Sequence, residues 1–424
     1  MSLQSFALLV RNSRPSRSPK INSVSQAVIR IQATVCSFPV PEIALCPPLF
    51  LFCKKSAAEK LFRFQTEALP SKTLFMAPSL LRQLFSADRQ YLRPVWCLLC
   101  MPAIAVPLVI GIVDKDLKTA VLAAAGAFSV GLGSFHQLGN SRFASMLFAA
   151  LGMFVSSWVG TVAGLSGVAM IIATAAAAYV YGIVSLKSPG ESWVALTCAI
   201  WLVISTGYPA TGLQTVTRGL LVLTGGLLQI IFLFALWKVA GSVGPAHSIS
   251  DIAEPMPRYF LTALRPGTPQ RLFAIRATVT LIGAAAIAQW TTWPNGYWIP
   301  MTALIVIRPD IQETTIKGLA RVLGTMVGAG LATLITKIAS PTPFVSELLV
   351  MVFAYACYCL LWVNYAVFAM SLTSYVVFLL SLAGLDQKSV ILHRLTFTIL
   401  GGVVSFIGHA VFRRRAELTG ATPS

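Results

Sequence analysis

Charge is scarce in this sequence. Asp, Glu, Lys and Arg together make up 11% of its 424 residues, less than half the roughly 25% of a soluble domain. That is too little to cover a water-facing surface of this size. Histidine is scarcer still, at four residues, and no cluster of His, Cys and carboxylates has metal-ligand spacing. There is no Walker loop, no ATPase signature and no soluble catalytic domain. The glycine-rich stretches "GAGLA" and "GLLVLTGG" lie inside apolar runs, where they do not cradle nucleotide. An ATP-driven pump and an enzyme are therefore both excluded as readings, and no cofactor is implied.

Eight cysteines give no framework. Cys36, Cys46 and Cys53 lie in the polar N-terminal stretch. Cys97 and Cys100 form a CxxC inside an apolar run, with no partner pair and no histidine nearby, and Cys357 and Cys359 lie in another such run. They read as small buried hydrophobes.

What the chain does have is apolar length. It is 56% hydrophobic, its mean hydropathy is +0.77, and runs of 17 or more apolar residues recur from about residue 93 onward. Such runs read as membrane spans. Continuous segments such as "GVAMIIATAAAAYVYGIV" are helical and not the alternating pattern of a barrel. The expectation is an all-α membrane protein.

The first 75 residues stand apart. "RNSRPSRSPKINSVSQ" is basic, Ser-rich and aperiodic, and "PVPEIALCPPLFLFCKK" is too short and too proline-rich to span. A secretory signal would carry its charges before the apolar patch, and here they follow it. Three readings remain for residues 1–75: a translated upstream region with the start at Met76, a disordered tail, or an organellar transit peptide.

Twelve apolar windows follow, at 93–113, 118–135, 142–163, 165–186, 191–208, 217–240, 270–290, 296–308, 317–337, 343–363, 364–384 and 390–412. A polar, proline-rich linker at 241–270 separates a first six-helix half (76–240) from a second (271–415), and residues 416–424 form a tail. Four windows open with an arginine followed by small residues. Arg142 and Arg321 lie 179 residues apart, and Arg218 and Arg394 lie 176 apart. The near-equal offsets predict a duplication. Six spans per half make the repeats parallel, related by an axis along the membrane normal.

The net charge of +18 invites a nucleic-acid reading, but the cations are distributed as topology signals. With the N-terminus inside, 15 Lys/Arg from residue 76 onward fall on the cytoplasmic side and 6 on the other. That excess predicts both termini in the cytoplasm of a multi-pass inner-membrane protein, with lipid and not nucleic acid as its surroundings. Gly324, Thr325 and Gly328 form a small-residue face for close helix packing.

The window "NGYWIPMTALIVIRPD" is too short. From Gly296 to Ile307 a helix rises roughly 18 Å, against a hydrocarbon core of about 30 Å, and Pro300 falls within it. Broken spans near a repeat interface are where transporters place substrate sites. Tyr297, Trp298, Arg308, Asp310, Arg321 and Arg276 are accordingly the candidate substrate-binding residues. The competing reading makes Trp298 an interfacial belt residue, Arg308 a cytoplasmic anchor and Arg276 a snorkelling side chain. Arg321 is expected at a helix start, where the dipole disfavours a cation, so Asp310, Glu313 or an anionic substrate must offset it. His136, His393 and His409 are either proton-relay groups or interface residues.

"NGYWIPMTALIVIRPDIQETTIKGLARVLGTMVGAGLATLI" resembles the signature of the fusaric acid resistance protein-like (FUSC) family of integral membrane transporters. The match is carried by Tyr297, Trp298, Thr314, Thr315, Arg321, Gly324, Thr325 and Gly328. The resemblance implies an exporter of aromatic or other organic acids driven by the proton-motive force, with a periplasmic adaptor or a second copy as partner. The better-known members carry large cytoplasmic domains; this chain has a linker of about 30 residues. Three functions follow as expectations: a secondary transporter exporting small organic anions, a passive organic-anion channel, or a non-transporting structural subunit.

Overall fold

The computed structural model describes residues 88–139, 141–239, 256–291, 293–339 and 341–418. The N-terminal stretch before residue 88, most of the linker, and the tail beyond 418 lie outside the described residues. Among those described, regular structure is helical throughout, apart from one isolated bridge between Leu138 and Ser141. The described residues all fall within one compact unit.

The helices are α1 (Pro94–Leu99), α2 (Pro102–Val113), α3 (Leu117–Gly133), α4 (Arg142–Ala163), α5 (Gly167–Val184), α6 (Pro189–Thr206) and α7 (Leu213–Val239). After the linker come α8 (Met256–Ala263), α9 (Pro269–Thr291), α10 (Trp298–Val306), α11 (Ile311–Ala339), α12 (Pro343–Leu360), α13 (Tyr365–Leu382) and α14 (Gln387–Leu418). Local chemistry sets many of the boundaries. The side chains of Asp116, Ser141, Ser166, Ser188, Thr342 and Asn364 each accept a hydrogen bond from the N–H three residues on, satisfying a donor that the first turn leaves open. Pro102, Pro189 and Pro343 occupy first-turn positions, where a missing N–H costs nothing.

Each apolar window of the sequence holds helix. Nine segments among the described residues are long and apolar enough to cross a bilayer: Pro94–Val113, Arg142–Ala163, Gly167–Val184, Leu213–Leu236, Pro269–Thr291, Ile311–Ala339, Pro343–Leu360, Tyr365–Leu382 and Gln387–Phe412. Three windows fall short of that standard. α3 has 17 residues, α10 has 9, and α6 opens on a polar turn at Pro189–Ser192.

Helices are neighbours in a recurring order. In the first half α3 packs on α2 and α7, α4 on α6 and α7, and α5 on α6. In the second half α10 packs on α9 and α14, α11 on α13 and α14, and α12 on α13. The halves meet where α5 lies on α9, α6 on α10, α12 on α2, and α13 on α3.

Close approach depends on absent side chains. A Cβ on Gly324 or Gly328 would run into the carbonyl oxygens of Ala366 or Met370 on α13, and Thr325 meets Thr373 of the same helix at 3.4 Å. With lipid on the outside, such backbone contact supplies attraction that the hydrophobic effect does not. Gly225 of α7 lies equally tight on the Ala123 carbonyl of α3, and Gly401 of α14 on the Ile299 carbonyl of α10. Both members of the second contact lie 176 positions after those of the first.

Candidate functional site

α10 is the element that organises the site. A turn at Trp293–Gly296 feeds it, with Asn295 in the left-handed region at φ 63° and the N–H groups of Trp298 and Ile299 bonded to the carbonyls of Asn295 and Gly296 at 3.0 Å each. Pro300 is the third residue of the helix. It therefore removes one of the first-turn donors that has no intrahelical partner, and does not break the middle of a span as its place in the window suggested. The helix stops because Arg308 precedes Pro309, which disfavours helical backbone at Arg308. Ile307 is already extended, with ψ 130°. The Asp310 carboxylate then accepts from the Glu313 N–H at 2.9 Å, within the first turn of α11.

Three of the predicted site residues gather at this C-terminal break. Arg276, from α9, donates to the carbonyls of Arg308 and Pro309, the latter at 2.8 Å. The Arg308 guanidinium donates to the Tyr181 hydroxyl of α5 and to the Ile307 carbonyl at 3.2 Å. The Arg308 N–H donates to Thr314 Oγ1 at 3.0 Å. The carbonyls of Ile307, Arg308 and Pro309 lie in the break between the two helices, and two arginines and Thr314 serve them there.

The other three, Tyr297, Trp298 and Arg321, lie toward the opposite part of α10, and they meet a residue that the sequence reading had not placed among the candidates. The Arg394 guanidinium of α14 stacks over the Trp298 ring, 5.4 Å from its centroid. It also lies within electrostatic range of Arg321 and Tyr297. Arg321 is 1% exposed and Arg394 4%. Nε and Nη1 of Arg321 and Nε of Arg394 have no hydrogen-bond partner. Among the described residues the ion pair formed is Lys187–Glu191, at 2.7 Å, which involves neither arginine. Two buried guanidiniums thus share a patch with donors left over. Burying an unpaired cation costs several kcal/mol, and like charges at close range add to that.

Arg321 is the eleventh residue of α11 and not its opening residue, because the helix begins at Ile311. It therefore lies about 15 Å along the helix, away from the N-terminal dipole. Asp310 and Glu313, considered as its partners, remain at that N-terminus.

A tyrosine pair flanks the patch. The Tyr297 and Tyr208 hydroxyls lie 3.0 Å apart. Arg218 of α7 stacks on the Tyr208 ring at 4.6 Å and donates to the Tyr208 carbonyl at 2.7 Å. Arg218, Tyr208 and Arg394 were the residues missed as site members. Their signal was present, since Arg218 and Arg394 are the pair separated by 176 positions.

The histidines take separate places. His136, in the turn after α3, stacks on Trp193 at 5.0 Å, and its Nδ1 lies 3.1 Å from the Leu132 carbonyl. Burial lowers its pKa to about 4 against the opposing pull of that carbonyl, so it is neutral at physiological pH. His393 stacks on Phe397 at 5.5 Å, and Phe397 in turn faces Trp298.

Residues 281–408 match the fusaric acid resistance protein-like family. The FUSC region thus spans Trp298, Arg321 and Arg394 together, and with the apolar helices it makes the chain a multi-pass membrane protein. The inner membrane protein YccS of Escherichia coli K12 is 34% identical over 82 residues, covering 19% of this chain and 11% of that protein. An uncharacterized protein of Haemophilus influenzae Rd is 25% identical over 133 residues, covering 31% of this chain and 18% of its own length. The chain thus spans less than a fifth of either relative. No solved structure matches.

Proposed function

We propose that the chain is an inner-membrane secondary transporter that exports small organic anions, aromatic carboxylates foremost, and that the buried Arg321–Arg394 patch is its binding centre. The observation that carries this is the pair of guanidiniums with unused donors and no carboxylate paired with them among the described residues. A carboxylate supplies the missing charge and accepts charge-assisted hydrogen bonds. The Trp298 ring beside Arg394 supplies an apolar wall for an aromatic body. Arg276, Arg308 and Asp310 fix the turn between α10 and α11 and support the site from a distance.

The recurring neighbour order and the Gly225–Ala123 and Gly401–Ile299 contacts support the parallel two-repeat, twelve-crossing reading. In that register Arg218 corresponds to Arg394, whereas Ser145, and not Arg142, corresponds to Arg321. The charge bias supports both termini in the cytoplasm. A periplasmic adaptor or a second copy of the chain is the partner this reading implies.

The test is accumulation of a panel of aromatic acids in cells with and without the gene. Export that vanishes in Arg321→Gln and Arg394→Gln supports the proposal, and equal accumulation across the panel sinks it. Collapse of the proton gradient separates the passive channel, whose flux follows the anion gradient alone. A structural subunit has one observation in its favour: Arg321 and Arg308 line neither of the two clefts described on the bundle. Against it stands the cost of keeping two cations buried without a partner.

A further inference from the structure

A cleft of about 540 Å³ opens beside the α2–α3 turn and the α6–α7 connection, lined by Lys118, Tyr208, Gln214, Thr217 and Arg218 among others. No carboxylate lines it. Asp116 lies beside it, held by the N–H and hydroxyl of Thr119 as the cap of α3 and within electrostatic range of Lys118. Arg218 spends one donor on the Tyr208 carbonyl and lays its plane on the Tyr208 ring, so other donors of its fork remain for the cleft. The lining is thus two cations, an amide, two threonine hydroxyls and an aromatic face, a composition suited to a carboxylate on a compact organic body.

The wall of this cleft is also the wall of the arginine patch. Tyr208 lines the cleft and its hydroxyl meets that of Tyr297. Tyr297 touches Trp298, with centroids 5.8 Å apart, and lies within electrostatic range of Arg394. The ring of Tyr297 packs closely on Gly207, the C-cap of α6, which has no side chain. Tyr208 and Tyr297 thus link Arg218, on the cleft side, to Arg394, on the patch side, through one hydroxyl contact.

We infer that this cleft is a second organic-anion site, and that the Tyr208–Tyr297 pair is the partition across which a carboxylate passes between Arg394 and Arg218. The inference rests on the anion reading of the buried patch. In the orientation proposed above the cleft faces the periplasm, which makes it the exit station.

The experiment is equilibrium binding of radiolabelled benzoate to the full chain reconstituted in lipid nanodiscs. Two classes of site are expected. Lys118→Gln and Arg218→Gln weaken one class about tenfold and leave the other. Arg394→Gln removes the other and leaves the first. Lys118 is solvent-exposed, so its variant keeps the test valid if Arg218→Gln misfolds. Tyr208→Phe and Tyr297→Phe remove the hydroxyl pair of the partition and are expected to speed benzoate exchange at the buried class about tenfold; exchange at the wild-type rate in both overturns the partition. A single class that is lost in Arg394→Gln and untouched by Lys118→Gln and Arg218→Gln overturns the cleft and leaves the buried centre standing. A single class with the reverse sensitivities supports the cleft and overturns the buried centre. No bound benzoate at all overturns both.

Discussion

The Arg394 guanidinium rests on the face of Trp298, and the side chain whose charge opposes it most directly is another arginine, Arg321. Cation–π contact contributes about 0.5–2 kcal/mol, less than the several kcal/mol that burying an unpaired ion costs. The fold therefore carries a local deficit at this point, which an anion bound as proposed would offset.

That deficit separates stability from activity. Arg321→Met is expected to stabilise the purified chain by about 1–4 kcal/mol, as replacing buried charge with a packed apolar side chain does elsewhere, while abolishing anion binding. Thermal unfolding and benzoate binding of the same preparation check both halves. A variant that is destabilised by several kcal/mol would mean that Arg321 is a structural residue with a partner.

The cluster at the other end of α10 should behave in the opposite way. Arg276→Gln removes donors from the Arg308 and Pro309 carbonyls and is expected to cost about 1.5–3 kcal/mol. The dissociation constant for benzoate should stay within about twofold. A tenfold loss of affinity at unchanged stability would place Arg276 in the binding centre after all.

Close packing of α11 on α13 gives a contrast within one helix. Gly324→Ala and Gly328→Ala drive a methyl into backbone carbonyls and are expected to cost about 1–3 kcal/mol each. Gly330→Ala, where nothing stands near the added atom, is expected to be neutral or slightly stabilising, by up to about 1 kcal/mol. Melting temperatures of the three variants decide it, and equal values would show that α11 and α13 are not in this register.

His136 gives a pH dependence. Its pKa is about 4 in the fold and 6.5 ordinarily. Between these values the unfolded chain takes up a proton that the native chain refuses. Stability is therefore lost as pH falls from about 6.5 toward 4, by at most about 3 kcal/mol, and by less because the ring is only half-buried. His136→Gln should flatten that part of the profile. Identical melting curves for the two proteins at pH 4.5 and pH 7 would contradict the assignment.

The helices were legible because apolar runs are local signals: the windows opening at 142, 165 and 364 start within two residues of the helices that Ser141, Ser166 and Asn364 cap. The site was legible only in part. Tyr297, Trp298, Arg308 and Asp310 looked like one group because they are close in the chain. A nine-residue helix separates them by about 13 Å, so the aromatic pair and the Arg308 cluster lie at opposite ends. Arg321 was misplaced for a related reason, since the polar first turns of α11 read as loop. Arg394 comes from α14 and Tyr208 from the α6–α7 connection, and no local pattern announces which distant side chains a fold brings together.

α10 meets protein on nearly every side; eight of its nine residues are buried. Its apolar character is thus a requirement of neighbouring helices and not of the bilayer, although a hydropathy scale scores the two alike. What fixes its composition is fit: Ser405 reaches its Ala303 carbonyl at 3.1 Å, and Gly401 admits its backbone. Mutational tolerance along it should therefore follow volume and hydrogen bonding more closely than oiliness, with a small hydroxyl better accepted than a large aliphatic group.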